Sequence, residues 1–468
     1  MKFLKQIHVT LFTLLLAPIC LFAETEQVVD KVAKINEYLD ACAQHLKFNG
    51  TVLVAEGDNI LVNRADGMSN FEKAIPCTIQ TRFNLAAVSK LFTAMAIMLL
   101  VQKGLVSVND LITKFMPADL ILGDLRAKMI TVHHLLTHTA GIKDFEGLPE
   151  WIKGNQYNSA SEIIKLFKDK PLDFQPGAQF NYSNSGYIVL GYIVEKVSGQ
   201  SLAQFMKENI FVPLNMKNTG FDYDAADDRF ALGYASGKKR VNYSDMSFAY
   251  GDGNLISTTH DLYLWIQALS SEKLLRSDLS KMLFAPHVQQ GDNTAYGYGW
   301  DITELFGHKL ICNSGAVPGF STNIFRFIEN DVCIIVLSNS DPMISPVYQM
   351  NHDLAAILFG EPYAVPVSQA KKTITVAAAI LDLYVGDYKL GTRDMTISIK
   401  REANTFYAQI TQSSQSIGYE RFELCPESET KFFADGDMYI SFVKDDQGKV
   451  TKFILNKFGS EFVAEKIK

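Results

Sequence analysis

Lys90 stands three residues after Ala87, at the start of a long apolar run from Leu85 to Gln102. A hydroxyl and a lysine three apart on a helix share one face, and a hydroxyl at the helix N-terminus sits near the positive end of the helix dipole. That is the arrangement of an activated serine nucleophile with its proton acceptor. Ala87, three residues before Lys90, carries no hydroxyl. Ser89 lies about 100° round the helix from Lys90 and would need a shift of register to face the same side. Two further stretches carry polar groups of the right kind. Tyr182-Ser183-Asn184 follows Pro176-Gly177 and, taken alone, reads as a polar loop with an exposed tyrosine. Asn313-Ser314-Gly315-Ala316 leads into strand-like sequence. Asn313 can donate a hydrogen bond but carries no charge and no proton to transfer, and Gly315 allows a substrate backbone to come close. The segment Ile130–Ile142 holds His133, His134 and His138 and reads as a helix with a glycine C-cap and partly buried histidines, in preference to catalysis or metal binding.

The elements that must position these groups follow from periodicity. Val28, Val32, Ile35, Leu39 and Cys42 recur at helical steps. Residues 50–55 and 60–62 are strand-like and flank a Gly57-Asp58-Asn59 turn. The run 85–102 is apolar nearly all round, as expected of a helix at a domain centre. Helical stretches and Gly/Pro loops fill 105–290, strand character returns over 311–327 and 331–338, and 350–358 is again helical. That order predicts a sheet whose first and last strands are far apart in sequence, with helices packed on it. Pro362 and Pro366 mark a boundary. Beyond it come a short helical stretch, 377–383, and β-type runs such as 395–399, 405–410, 438–443 and 450–455, with turns at Asp435-Gly436 and Asp446–Gly448, the pattern of a small barrel or sandwich.

With 468 residues, 47% hydrophobic and 20% charged, the chain suits a globular protein of two or three domains. Its net charge of −7 is spread along the sequence, and no Lys/Arg run suggests a nucleic-acid surface. Lys2 and Lys5, the apolar stretch 9–22 and Ala23 read as a signal peptide cut after Ala23, leaving no stable membrane span. The five cysteines after it (42, 77, 312, 333 and 425) form neither a disulfide framework nor a metal motif, although Cys312 and Cys333 could be neighbours. No metal and no organic cofactor are implied.

Across Phe83–Ala94 the chain resembles the serine β-lactamase and penicillin-binding-protein superfamily, in the β-lactamase-related branch of class C β-lactamases, D-Ala-D-Ala carboxypeptidases, D-aminopeptidases and esterases. That branch reads F-x-x-x-S-x-x-K-x-x-T-A. Phe83, Lys90, Thr93 and Ala94 match, and Ala87 replaces the serine. Tyr182-Ser-Asn184 resembles the Tyr-x-Asn motif, and Asn313-Ser-Gly315 stands where His-x-Gly or Lys-Thr-Gly is usual. Residues 130–142, 210–220, 250–265 and 296–300 are similar to further family segments, and Leu383–Tyr388 is similar to the start of an appended barrel. The resemblance implies an α+β fold, an antiparallel sheet flanked by helices with a small C-terminal all-β barrel. The expected divisions are signal peptide 1–23, main domain 24–362, linker 363–380 and barrel 381–468.

The same resemblance assigns roles. Ala87 marks the substituted nucleophile position, Lys90 and Tyr182 would move protons, and Asn184, Asn313, Gly315 and Ala316 would bind substrate. The amides of Ala87 and Ala316 would form an oxyanion hole that needs neither side chain. The expectation is an exported protein, periplasmic or secreted, that is catalytically impaired and binds a small peptide, ester or β-lactam-like ligand. Two alternatives stay open: an active serine hydrolase, if position 87 is naturally serine or another group substitutes, and a secreted interaction protein. The barrel is expected to be a packing partner without a ligand, with a lid as the alternative.

Overall fold

The computed structural model describes residues 28–150, 157, 159–241, 250–291, 293–342, 344–367, 372–390, 395–402, 405–413, 421–434, 438–457 and 460–467. The signal-peptide residues, part of the expected linker and the Asp435-Gly436 turn lie outside them.

A helix over residues 28–45 (α1) leads into β1 (Gly50–Glu56) and β2 (Asn59–Asp66), joined by the turn at Gly57. The central helix α2 spans Ser89–Gln102 and α3 spans Val132–Leu136. Helix α4 covers Asn184–Ser198 and α5 covers Thr259–Leu269. Six strands follow: β3 (Val288–Gly291), β4 (Thr294–Tyr296), β5 (Asp301–Leu305), β6 (His308–Val317), β7 (Phe320–Phe327) and β8 (Val332–Ser338). Helix α6 (Val347–Phe359) follows them.

These eight strands form one antiparallel sheet in the order β2-β1-β8-β7-β6-β5-β4-β3. The first strand pairs with the last, from Gly50 opposite Ser338 to Glu56 opposite Val332. Both faces of the central strands are covered, so their sequences are continuously apolar rather than alternating. Leu53, Ala55, Cys333, Ile335 and Leu337 join the core around α2, while Val52, Val54, Val332, Ile334 and Val336 join the core under α1 and α6. Tyr38 on α1 donates a 2.7 Å hydrogen bond to Asp353 on α6, which ties that second layer together.

Cys312 on β6 lies opposite Phe325, and Cys333 on β8 lies opposite Arg326, with β7 between them. The two cysteines are not neighbours, and all five described cysteines are free thiols. The histidine segment also departs from expectation. Helix α3 ends at Leu136 with Thr137 as its C-cap, and His138 takes a left-handed φ of 55°. That turn drops the His138 ring into the core, where it is 2% exposed.

After a short helix at Ala378–Tyr384 come nine strands: β9 (Gly386–Leu390), β10 (Met395–Glu402), β11 (Thr405–Ser413), β12 (Phe422–Glu423), β13 (Cys425–Pro426), β14 (Lys431–Ala434), β15 (Met438–Lys444), β16 (Val450–Lys457) and β17 (Ser460–Lys466). Their order is β12-β11-β10-β9-β17-β16-β15-β14-β13. The two edge strands are separated in the chain by Leu424 alone, so the sheet curls back into a nearly closed barrel. Aromatic rings fill its interior, with Tyr384 stacked on Phe442 at 4.1 Å and Phe432, Phe406 and Phe453 around them.

Candidate active-site cleft

The apolar run of the sequence folds as a 3-10 turn, Ala86–Val88, that continues directly into α2. From Phe83 to Leu100 every residue is buried except Ala87. The chain therefore opens to solvent at the one position where the sequence expects a nucleophile. The turn is held from below. Ala86 takes a left-handed φ of 48°, and its amide donates to Asn84 Oδ1 at 2.7 Å.

Lys90, one turn on, is 1% exposed. Its ammonium donates to the Asp252 carbonyl at 2.9 Å and lies 3.6 Å from the Asp252 carboxylate. It also sits over the Tyr182 ring, 5.0 Å from the centroid. Burial pulls the Lys90 pKa down, and Asp252, Glu146 and Asp144 oppose that pull. Thr93 donates to the Gly251 carbonyl at 2.6 Å, and Ser89 Oγ accepts the Leu255 amide at 3.0 Å. The Leu85 amide donates to the Leu255 carbonyl at 2.9 Å. Leu85, Ser89, Lys90 and Thr93 thus staple the 251–255 loop to α2, which gives the Lys-x-x-Thr spacing a structural cause. Ser89 is buried on that loop side, away from the opening at Ala87.

Tyr182 stacks on His138 at 4.3 Å between centroids. His138 Nδ1 accepts the Ser183 amide at 3.1 Å, and its Nε2 meets Tyr296 Oη at 3.1 Å. Burial, then the Lys90 charge, hold the His138 pKa well below the usual range, so the ring is neutral with its proton on Nε2. Tyr296 and Tyr187 share a hydrogen bond, and Tyr187 donates to the Leu136 carbonyl at 3.1 Å. This chain of buried polar groups fixes the plane on which Tyr182 rests. Burial, with Asp252, Asp144, Asp301 and Glu146 nearby, raises the Tyr182 pKa well above its ordinary value, so the phenol keeps its proton at neutral pH.

Asn184 begins α4. Its amide donates to Asp144 Oδ2 at 2.6 Å, and its side chain is also bonded to Asp144. Ser183 Oγ donates to the Ile142 carbonyl at 3.1 Å and is buried. Asp144, Glu146 and Asp252 are the site residues that sequence reasoning passed over. Asp252 had a signal, a lone carboxylate between two glycines. Asp144 had a weaker one, as the cap of the Phe145–Gly147 turn. Burial lifts the Asp252 carboxyl to about 6 and raises Asp144 as well, while Lys90 lowers both.

On the strand side, β5 follows β6 only as far as Asp301 opposite Cys312, so residues 313–317 have no strand on that edge. Asn313 and Gly315 turn toward α2, and Ser314 turns to solvent. Asn313 Nδ2 donates to the Gly299 carbonyl at 2.8 Å, where Gly299 lies against Leu91 and Ala94 of α2. A Cβ at Gly315 would lie 2.2 Å from Leu85 O, 3.1 Å from Ala86 Cβ and 3.2 Å from Ala87 N. The missing side chain is therefore used by the turn that carries Ala87, whereas the sequence assigned it to substrate approach.

Two buried acceptors, Asp252 Oδ1 and Asn313 Oδ1, have no hydrogen-bond partner among the described residues. An unmade bond of this kind costs about 1–3 kcal/mol, more for a charged group. Among the described residues no group of His, Cys, Asp and Glu is arranged to hold a metal ion, and no helix is long and apolar enough to cross a membrane.

A central helix whose first turn meets an open sheet edge, with a lysine one turn on and a tyrosine across the cleft, defines the penicillin-binding and β-lactamase class of acyl-transfer folds. The chain belongs to the beta-lactamase family, whose model matches residues 35–358. Penicillin-binding protein 4* of Bacillus subtilis (strain 168) is 32% identical over 452 residues, which is 90% of this chain and 96% of that protein. The penicillin binding protein from Bacillus halodurans has a solved structure with TM-score 0.61 and 28% identity, over 68% of this chain and 98% of that one. The octameric penicillin-binding protein homologue from Pyrococcus abyssi gives TM-score 0.62 and 25% identity, over 93% and 100%.

Proposed function

We propose that this chain is an exported, catalytically impaired member of the family whose cleft binds acyl, D-amino-acid peptide or ester-like ligands. The observation that carries the reading is Ala87, a methyl group at the one solvent opening of the turn and helix that hold Lys90. Neither nearby serine replaces it, because Ser89 and Ser183 are buried and each is bonded to backbone. With no hydroxyl to attack, no acyl-enzyme forms. Loss of a catalytic serine costs on the order of 10⁶ in turnover, with roughly 10³–10⁴ over water left to the remaining donors.

The backbone donors are those that need no side chain, Ala87 N–H and Ala316 N–H, and they serve a ligand carbonyl as well as a transition state. Lys90, Tyr182, Asn184 and Asn313 line or support the same cleft. The proposed divisions remain main domain 24–362, linker 363–380 and barrel 381–468. The aromatic filling of the barrel supports a packing role for it. Export to the periplasm or beyond follows from the signal-like start, and a mature chain beginning at Glu24 by intact mass would support it.

The test is acylation. Purified mature protein and its Ala87→Ser variant are incubated with a fluorescent penicillin and with an activated acyl ester, then weighed intact. Only the variant is expected to gain an adduct. An adduct on the protein with Ala87 would overturn the reading.

A further inference from the structure

We propose that a second site, outside the cleft, binds a small phosphate monoester with an apolar body. The site is a cavity of about 550 Å³, a size that encloses a small molecule. It adjoins the strand pair that leads into the Ala86–Val88 turn, since Ile256 lines it and pairs with Asn84. None of Ala87, Lys90, Tyr182, Asn184 and Asn313 lines it, so the site stands apart from the binding reading above.

Charge identifies the polar end of the ligand. Four charged side chains line the cavity, Arg82, Lys207, Lys217 and Asp222. Three cations against one carboxylate leave an excess of two positive charges, which matches a phosphate monoester dianion. None of the three cations has an ion pair among the described residues. Glu208, beside Lys207 in the chain, is engaged by Gln200 at 2.7 Å and by Gln204.

Arg82 is the anchor because it is held in place. Its Nη2 donates to Asn218 Oδ1 at 2.9 Å, and its guanidinium lies 5.4 Å from the centroid of the Phe230 ring. Asn218 is fixed in turn, its amide donating at 2.7 Å to Asp261, which is 2% exposed. Arg82 Nη1 makes no hydrogen bond among the described residues. A guanidinium oriented beforehand, with donors to spare, suits phosphate oxygens.

The rest of the lining identifies the other end. Phe211, Val212, Phe221 and Phe230 also line the cavity, and Val212 is 65% exposed. Lys207–Phe211 is a turn of π-helix, so the two ends of one unusual turn bring a cation and a ring to the same cavity. Such turns are rare and recur at functional sites. Inorganic phosphate would use the cations and leave the rings without a partner.

The probes are 1-naphthyl phosphate, 1-naphthol and inorganic phosphate, each titrated calorimetrically into the mature protein. The first is expected to bind at least about tenfold more tightly than either of the others, and to weaken as salt is raised. Lys207 and Lys217 are exposed, so the double variant Lys207→Gln/Lys217→Gln should melt as the parent does and bind about fivefold more weakly or worse. Arg82→Lys keeps the charge, loses the planar fork, and should weaken binding about tenfold. No binding of 1-naphthyl phosphate, equal binding of 1-naphthol or of inorganic phosphate, or full affinity in the folded double-lysine variant would overturn the proposal. The last result would place the ligand elsewhere on the chain. None of these readouts depends on acylation of Ala87→Ser, so this proposal and the reading of the cleft fail separately.

Discussion

Ser89 Oγ accepts the Leu255 amide at 3.0 Å, on the side of α2 opposite to the opening at Ala87. The serine nearest to Lys90 in the chain is thus a structural pin for the 251–255 loop. Replacing it by alanine leaves a buried amide unpaired, so Ser89→Ala should lower stability by about 1–2 kcal/mol in a urea titration. Combined with Ala87→Ser, it should leave the rate of penicillin labelling within about threefold, since the nucleophile is elsewhere. Complete loss of labelling in a folded double variant would mean that Ser89 is the reacting group.

Gly315 is the tightest point between sheet and helix. A methyl there would stand 2.2 Å from a backbone oxygen, and neither β6 nor the Ala86–Val88 turn can swing aside as a side chain could. Gly315→Ala is expected to cost about 3 kcal/mol or more, and to abolish acylation when added to Ala87→Ser, because the turn that carries residue 87 must move away from the strand. Unchanged melting together with unchanged labelling would show that the turn yields to a methyl group at no cost.

Much of this was legible in the sequence, and the exceptions have physical reasons. The helix bearing Lys90, the two distant groups of sheet strands and the strands of the barrel follow from periodicity, which is a local property, whereas the pairing of the first strand with the last does not. Thr93 matched a pattern without a role, since its partner, the Gly251 carbonyl, is fixed only when the loop folds back on α2. Asp144 and Asp252 were passed over because carboxylates in loops are common, and only burial beside Lys90 makes these two unusual. His138 looked like part of a helix end. Its left-handed backbone, which buries the ring under Tyr182, depends on tertiary contacts that no spacing encodes.

The His138 network predicts a silent histidine. With Nδ1 occupied by the Ser183 amide and the ring buried near Lys90, the imidazole should stay neutral from about pH 8 down to about pH 5, where an ordinary histidine becomes charged. Nitrogen chemical shifts should show one protonated Nε2 and one bare Nδ1 throughout that range. His138→Phe keeps the stack on Tyr182 but strands the Ser183 amide, for an expected loss of about 1–3 kcal/mol. A histidine that titrates normally while Tyr182 stays in place would contradict the tautomer.

Asp252 gives the pH dependence its sign. Its carboxyl is lifted by burial to about 6, above the ordinary value near 3.9 in an unfolded chain. The folded state therefore holds the proton more tightly than the unfolded state. The stability this group contributes is fully present below about pH 4 and is lost as pH rises through about 6. A carboxamide cannot ionise, so the Asp252→Asn variant should gain on the parent by about 2 kcal/mol between pH 4 and pH 7, whatever fixed penalty the lost Lys90 partner adds at both ends. Asp301, also lifted to about 6 by burial but bonded to Gln290 instead of Lys90, is the natural comparison. Asp301→Asn should show the same pH trend without touching the lysine. Paired urea titrations of parent and variants at the two pH values measure the difference directly. A gap between parent and Asp252→Asn that is constant with pH would place the Asp252 carboxyl at an ordinary pKa, and would mean that Lys90 fully offsets its burial.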